Sequence, residues 1–345
     1  MDNMCSQLTR DEKRRKRFEA FISPPALNFD NTESEKIYKA RADRLYNALS
    51  AAEPDRVPVL LPIGNFPPYY AGKTLRDVMY DYNELTQVYL KFMHDFYDDM
   101  DTFNGPGLVF PGKVFEILEY GLYKWPGHGL DPDVNSYQYI EGEYMGPDEY
   151  DALIKDPADF FLRKVTPRTV GTLAPLNSFI SLSGLMGMPM KLIGAFADPS
   201  IRRAFQTLIE AGEEQERWQK TIARFSRLSV AAGFPSYRSA MAIAPFDTIG
   251  DYLRGTRGVL TDMYRRPDKL LEAIKLITPL TIESTIAAIN ASRGIAVTFP
   301  LHKGDDTFMS RSQFEKFYWP SLREVILALI NEGIMVVLFA EGRYQ

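Results

Sequence analysis

Three histidines occur in the chain, His94, His128 and His302, and the last opens the run His302-Lys303-Gly304-Asp305-Asp306. An imidazole flanked by a lysine and two carboxylates can acquire a pKa suited to proton transfer near neutral pH. The same residue equally suits a plain role, hydrogen-bonding its own loop. Asp305 and Asp306 could orient the imidazole, serve as acid and base, or hold a cation. Alternatively they cap the helix that follows. Adjacent loop carboxylates point in different directions, so one of the pair is expected at the chemistry rather than both. His94, on a helix, and His128, in a Gly-rich loop, read as structural.

These residues matter only if the fold brings them to one place, and the apolar pattern predicts how. Arg56 to Pro62 (RVPVLLP) reads as a short buried strand, because a parallel strand covered on both faces is continuously apolar. Leu85, Val88, Tyr89, Phe92 and Phe96 recur at helical spacing, predicting a helix over 83–98 that feeds a second strand, Met100 to Asn104. Asp95, Asp98, Asp99 and Asp101 crowd that helix end and read as solvated acidic surface. Further on come strand Ala240 to Pro245, loop 246–256, a helix from Asp268 to about Ser292, strand Ile295 to Pro300, a helix from about Ser312, and strand Ile334 to Ala340. Alternation of this kind makes a parallel sheet, and in such sheets the carboxyl ends of the strands surround the site. Asn65 and Phe66 follow the first strand, and Asn104 ends the second. Phe246, Tyr252 and Arg254 follow the third, His302 to Asp306 the fourth, and Glu341 and Arg343 the fifth.

The remaining stretches frame this core. Residues 1 to about 34 are polar and irregular, an arm expected to lie on the body or on a partner subunit. Residues 35–345 read as one domain with an insertion at about 108–197, whose first part, rich in tyrosine and turn residues, predicts a small β-rich excursion. Pro147 to Arg163 reads as helical. Asp198 to Ala232 carries one long helical stripe, either a projecting helix suited to a homodimer contact or a barrel helix kinked near Gly212. Ser310 and Gln313 have capping-box spacing, Pro320 should kink or restart its helix, and Gly333 stands where a helix-ending glycine belongs.

Composition excludes several classes. With 345 residues, 45% apolar and 25% charged, the chain is of ordinary globular type. A formal charge of −5 gives no global field for a polyanion, so nucleic acid is not an expected partner. A single cysteine, Cys5, rules out an intrachain disulfide and a cysteine-cluster metal site. No signal-peptide segment follows the basic N-terminus, and the most apolar stretch, Val325 to Ala340, is broken by Asn331, Glu332 and Gly333. A cytoplasmic protein without a membrane segment is expected. No dinucleotide fingerprint, Walker loop, HExxH or GxSxG occurs.

Three stretches together resemble the uroporphyrinogen decarboxylase superfamily: Glu53 to Pro62 (EPDRVPVLLP), Ala244 to Lys269 (APFDTIGDYLRGTRGVLTDMYRRPDK) and Asp305 to Arg323 (DDTFMSRSQFEKFYWPSLR). The resemblance implies an α/β fold, a TIM (β/α)8-type barrel, and an enzyme that is a decarboxylase or a methylcobamide-dependent methyltransferase. Five strands are legible where that barrel needs eight. The chain would then be a C-terminally incomplete barrel or a truncated product, with the rest supplied by another chain or hidden in the excursion. A half-barrel would leave an open edge.

The departures from the family narrow the chemistry. The arginine-bearing segment that binds porphyrinogen carboxylates is replaced by Ile63 to Pro68, and the position of the family's pyrrole-binding aspartate falls at Asn104 or Gly105. Each lost charge-assisted contact costs about 1.5–3 kcal/mol, which disfavours a multiply charged porphyrinogen. The zinc-binding His-x-Cys pair of the methyltransferases is matched by Phe339-Ala340-Glu341, so zinc would have to use Glu341 with His302, without a thiolate. The expected enzyme is therefore a corrinoid-linked methyltransferase for a small ether or amine, with methylcobamide on a partner corrinoid protein. Its pocket would be lined by Asn65, Phe66, Asn104, Phe246, Tyr252, His302, Asp305, Asp306 and Glu341. The alternatives are a cofactor-independent decarboxylase using Arg254 or Arg343 for a carboxylate, and a non-catalytic tetrapyrrole- or corrinoid-binding barrel.

Overall fold

Three of the five expected strands form, the first of them displaced: it spans Arg238–Met241 where Ala240 to Pro245 was expected. The computed structural model describes residues 8–24, 28–103, 105–185, 188–235 and 238–344. Strands β4 (Arg238–Met241), β5 (Ala296–Leu301) and β6 (Met335–Ala340) make a parallel sheet in that order, with Ala296 opposite Met335 and Leu301 opposite Ala340. Helices Gly255–Arg265 and Pro267–Ser292 cross from β4 to β5, and helix Trp319–Asn331 crosses from β5 to β6. The central strand β5 has to be apolar on both faces. Val297 and Phe299 are fully buried against Leu270, Ala273, Val325 and Leu329. An earlier, separate sheet, β2-β1-β3 (Gly129–Leu130, Tyr123–Pro126, Gln138–Tyr139), is the β-rich excursion expected within 108–150.

The first two expected strands do not form. Arg56 to Pro62 runs extended but largely exposed, with Val57 at 80%, and no strand pairs with it. Its anchor is Asp101, whose N–H donates to the Val59 carbonyl (2.8 Å) while its carboxylate accepts from the Val59 N–H (2.7 Å). A side chain thus substitutes for a neighbouring strand. Asp101 is consequently no solvated acid: it is fully buried, paired with Arg44 and, at 2.7 Å, with Arg56. Met100 to Phe103 forms no strand, and Asn104 lies outside the described residues. The described residues contain no closed barrel; the parallel sheet has three strands.

Two further expectations need correction. The segment 246–256 is helical, not a loop: Pro245–Ile249 is a helix with proline in its first turn, continued by a π-type turn at Gly250–Arg254. The N-terminal arm contains a helix, Arg10–Ile22, held by a Thr9/Glu12 capping box. It lies on the body, with Phe18 and Phe21 buried in a cluster that includes Tyr38, Leu45, Ile295 and Ala296, and with Lys13 paired to Glu332 at 2.6 Å. The long helix Pro199–Ala231 runs 33 residues straight through Gly212. It is capped by Asp198 and buries Ile201, Ala204, Trp218 and Phe225.

The other turn signals behave as expected. Ser310 and Gln313 form a reciprocal capping box, and Pro320 restarts a helix after the π-type turn Phe314–Tyr318. Gly333 adopts φ +71° after the helix Trp319–Asn331, and a Cβ there would run into the backbone of Lys13 and Arg14. Gly333→Ala therefore meets both left-handed strain, of order 1–3 kcal/mol, and a clash with the first helix. A loss of at least about 1 kcal/mol in urea unfolding is expected, and an unchanged midpoint would show that the helix is not seated there.

Candidate active site

Strand β5 delivers the site. Where it ends at Leu301, the N–H groups of His302 and Lys303 donate to the two carboxylate oxygens of Asp247, at 3.1 and 3.0 Å, and the Tyr318 hydroxyl donates to the same carboxylate at 2.6 Å. Asp247 is fully buried. Burial pushes its carboxyl pKa up, against the lowering effect of the Tyr318 hydrogen bond. Three donors on one carboxylate lock the turn that aims the imidazole.

Asp251 follows Asp247 by four residues, one helical turn along, which carries it to the same side. One of its oxygens lies 2.6 Å from His302 Nδ1 and the other 3.0 Å from Lys303 Nζ. Lys303 is 6% exposed, and its ammonium also reaches Glu141 at 3.0 Å and the Thr256 hydroxyl at 2.8 Å. Burial alone would depress the lysine pKa; the Asp251 and Glu141 carboxylates outweigh it and raise the value. Lys303 is therefore a fixed cation and a poor nucleophile. Glu141 is held below the usual carboxylate range, because hydrogen bonds from Thr256 and Lys303 overcome its desolvation.

The imidazole itself is half-buried. The hydrogen bond to Asp251 raises its pKa above the ordinary histidine value, burial opposes this, and the charges of Asp251, Asp247 and Glu341 add to the rise. Its second nitrogen, Nε2, lies 3.8 Å from the exposed carboxylate of Glu341, which follows the end of β6. His302 and Glu341, 39 positions apart in sequence, are thus neighbours because β5 and β6 are paired in register to their last residues. A protonated imidazole held at one nitrogen by a carboxylate, with the other near the surface, is equipped to donate a proton.

A raised histidine pKa fixes the sign of the pH dependence. The ion pair stabilises the fold fully below the unfolded-state pKa, and that contribution is lost as pH rises through the folded value. Asp251→Asn removes the carboxylate whose hydrogen bond does most to raise the imidazole pKa, so the His302 titration midpoint is expected to move to lower pH. Proton NMR can follow this, because only His94 and His128 share the region. An unmoved midpoint would remove Asp251 from the pair.

The structure brings together some expected residues and separates others. Tyr252 adjoins the pair: its ring is 6.2 Å from that of Tyr139, whose hydroxyl donates to the Asp251 carbonyl at 2.6 Å. Asp305 does not face the imidazole. One oxygen accepts from the Thr307 N–H at 2.8 Å and the other from the Arg343 N–H, which makes it the tie between the two loops. Asp306 is exposed, its N–H donating to the Arg343 carbonyl at 3.0 Å. Arg343 remains an exposed guanidinium at the rim.

Three expectations are corrected by burial and contacts. Arg254 is 3% exposed and committed to Asp262 at 2.6 Å, to Glu143 and to the Met145 carbonyl, so it has no free edge for a substrate carboxylate. Phe246 is fully buried in the core, 5.7 Å from Tyr318. Asn65 and Phe66 belong to another cluster: Phe66 packs on Tyr70 and Phe92, and the Asn65 carbonyl accepts from Asn135. With the first strand unformed, nothing carries them to the end of a sheet.

Asp247, Asp251 and Glu141 were not anticipated. The two aspartates carried a signal, their spacing of four after Pro245 in PFDTIGD, which a helical reading of that segment would have placed on one face. Glu141 had none, being 162 residues from Lys303. The expected zinc pair, His302 Nε2 and Glu341 3.8 Å away, has no third His, Cys, Asp or Glu ligand arranged with it among the described residues.

The uroporphyrinogen decarboxylase (URO-D) family model matches residues 238–345, a span that begins with β4 and contains Asp247, Asp251, His302, Lys303 and Glu341. This match supports membership of the uroporphyrinogen decarboxylase superfamily and suggests an enzyme of that superfamily. No curated protein and no solved structure matches the chain significantly. No helix among the described residues is long and apolar enough to cross a membrane.

Proposed function

We propose that this chain is a corrinoid-linked methyltransferase acting on a small ether or amine, with His302 as proton donor to the leaving oxygen or nitrogen. The observation that carries the reading is the His302–Asp251 pair at 2.6 Å, which engages Nδ1 and leaves Nε2 beside the exposed Glu341. Demethylation breaks the bond between the methyl carbon and oxygen or nitrogen, leaving the electron pair on the heteroatom. A proton from Nε2 converts a leaving alkoxide to the neutral alcohol; an ammonium substrate leaves as the neutral amine, which the same proton converts to its conjugate acid. Asp251 raises the imidazole pKa and so favours its charged form, Asp247 holds its backbone, and Glu341 would orient the substrate.

A corrinoid supplies the nucleophile that takes the methyl group. The hollow beside the 302–306 turn measures about 240 Å³, below the ~300–1,000 Å³ of ordinary ligand pockets. A macrocycle is therefore assigned to a partner protein and not to a resident site. The exposed Arg343, two residues beyond Glu341, favours a second reading, decarboxylation of a small acid. There the guanidinium would bind a carboxylate, and His302 would protonate the carbon whose bond to CO2 has broken. Incubation with cobalamin in its reduced or methylated form and with ethers or amines, followed by cobalamin absorbance, tests the first reading; CO2 release tests the second. Neither signal with any substrate would sink both and leave a tetrapyrrole- or corrinoid-binding module.

A further inference from the structure

The 240 Å³ hollow lies at the carboxyl ends of β5 and β6, lined by Gly304, Asp306, Met309, Arg311, Phe314 and Tyr344. Its charge is unbalanced in one direction. The Asp306 carboxylate has no hydrogen-bond or ion-pair partner among the described residues, whereas the Arg311 guanidinium is already paired with Glu315 at 2.9 Å. Its walls are aromatic and fixed. Phe314 and Tyr344 meet nearly at right angles, centroids 6.4 Å apart at 76°, and Phe314 is stacked on Tyr318 at 5.3 Å and Trp319 at 6.3 Å. Gly304 permits this corner, since a Cβ there would collide with the rings of Tyr318 and Tyr344 at 2.8 Å.

We propose that this hollow binds a small methylated ammonium ion, with Asp306 as counter-ion and the Phe314 and Tyr344 rings as walls. A diffuse organic cation suits such a site because it is weakly hydrated, is attracted by ring faces and needs no directional hydrogen bond. A hollow of about 240 Å³ has room for a small methylated head group. The inference rests on the methyl-transfer reading only in taking this ion for the amine end of the substrate, held by Asp306 four residues from His302.

Calorimetric titration of the full chain with choline, and with its neutral carbon isostere 3,3-dimethylbutan-1-ol, tests the site. Choline is expected to bind at least tenfold more tightly than the isostere. Asp306→Asn should weaken choline at least tenfold, Asp306→Glu should retain part of the affinity, and Phe314→Leu should weaken it several-fold. His302→Gln should leave it within twofold. Equal binding of the isostere, wild-type affinity in Asp306→Asn, or no choline binding would overturn the proposal. Failure of the methyl-transfer reading would show separately, as no change in cobalamin absorbance with any ether or amine while the wild type still binds choline and Asp306→Asn still loses it.

Discussion

His302→Gln is expected to reduce turnover by roughly 10²- to 10⁴-fold, the range for losing a positioned general acid. Glutamine keeps a polar amide against Asp251 but has no proton to yield near neutral pH, so the loss should fall on kcat more than on KM. Asp251→Asn should cost less and should also shift the alkaline limb of the pH profile to lower pH, because the hydrogen bond to that carboxylate raises the imidazole pKa. The His302 side chain is 31% exposed at the end of a strand, so the variant should stay folded, its urea midpoint lowered only by the loss of the ion pair. A folded His302→Gln protein with full turnover would remove the residue from the chemistry.

Asp262→Ala should be the most damaging change to stability. Asp262 is fully buried and accepts from Arg254 Nε at 2.6 Å, from the Tyr150 hydroxyl at 2.9 Å and from Arg266 at 3.2 Å. Removing it strands the buried Arg254 guanidinium with the exposed Glu143 and one carbonyl. Breaking a buried pair in this way costs about 3–5 kcal/mol, a large part of the ~5–15 kcal/mol that holds a domain together. Urea unfolding would read it as a lowered midpoint at unchanged slope. The double change Asp262→Leu with Arg254→Met should recover part of the loss, since a buried pair replaced by apolar groups pays no desolvation cost. A single variant within about 1 kcal/mol of wild type would show the cluster to be open to water.

The same cluster explains why Arg254 misled a reading of the sequence. An arginine after a strand in a parallel sheet is a fair candidate for binding an anion, and nothing local reveals that Asp262, Glu143 and Met145 converge on it. Asp305 misled for a related reason: its partner, the Arg343 N–H, comes from the segment after the next strand, β6. Arg56 to Pro62 failed differently. A continuous apolar run states only that the segment tolerates burial; whether a strand forms depends on neighbours to pair with, and here the partner is a single buried aspartate.

What the amino-acid order determined by itself was local and periodic: the crossover helices, the strands 296–301 and 335–340 to within a residue or two, the capping box at Ser310, the glycine stop at Gly333 and His302 at a strand end. Those features depend on backbone preferences and on apolar spacing within a few turns, both written in contiguous residues. The tertiary structure alone decided which charges meet. It placed Glu141 on Lys303, Asp251 on His302 and Glu341 across from the imidazole, while withdrawing Arg254 and Asp305 into structural ties. Charge pairing acts over a few ångströms of space and is indifferent to distance along the chain, so it becomes readable only once the strands are side by side.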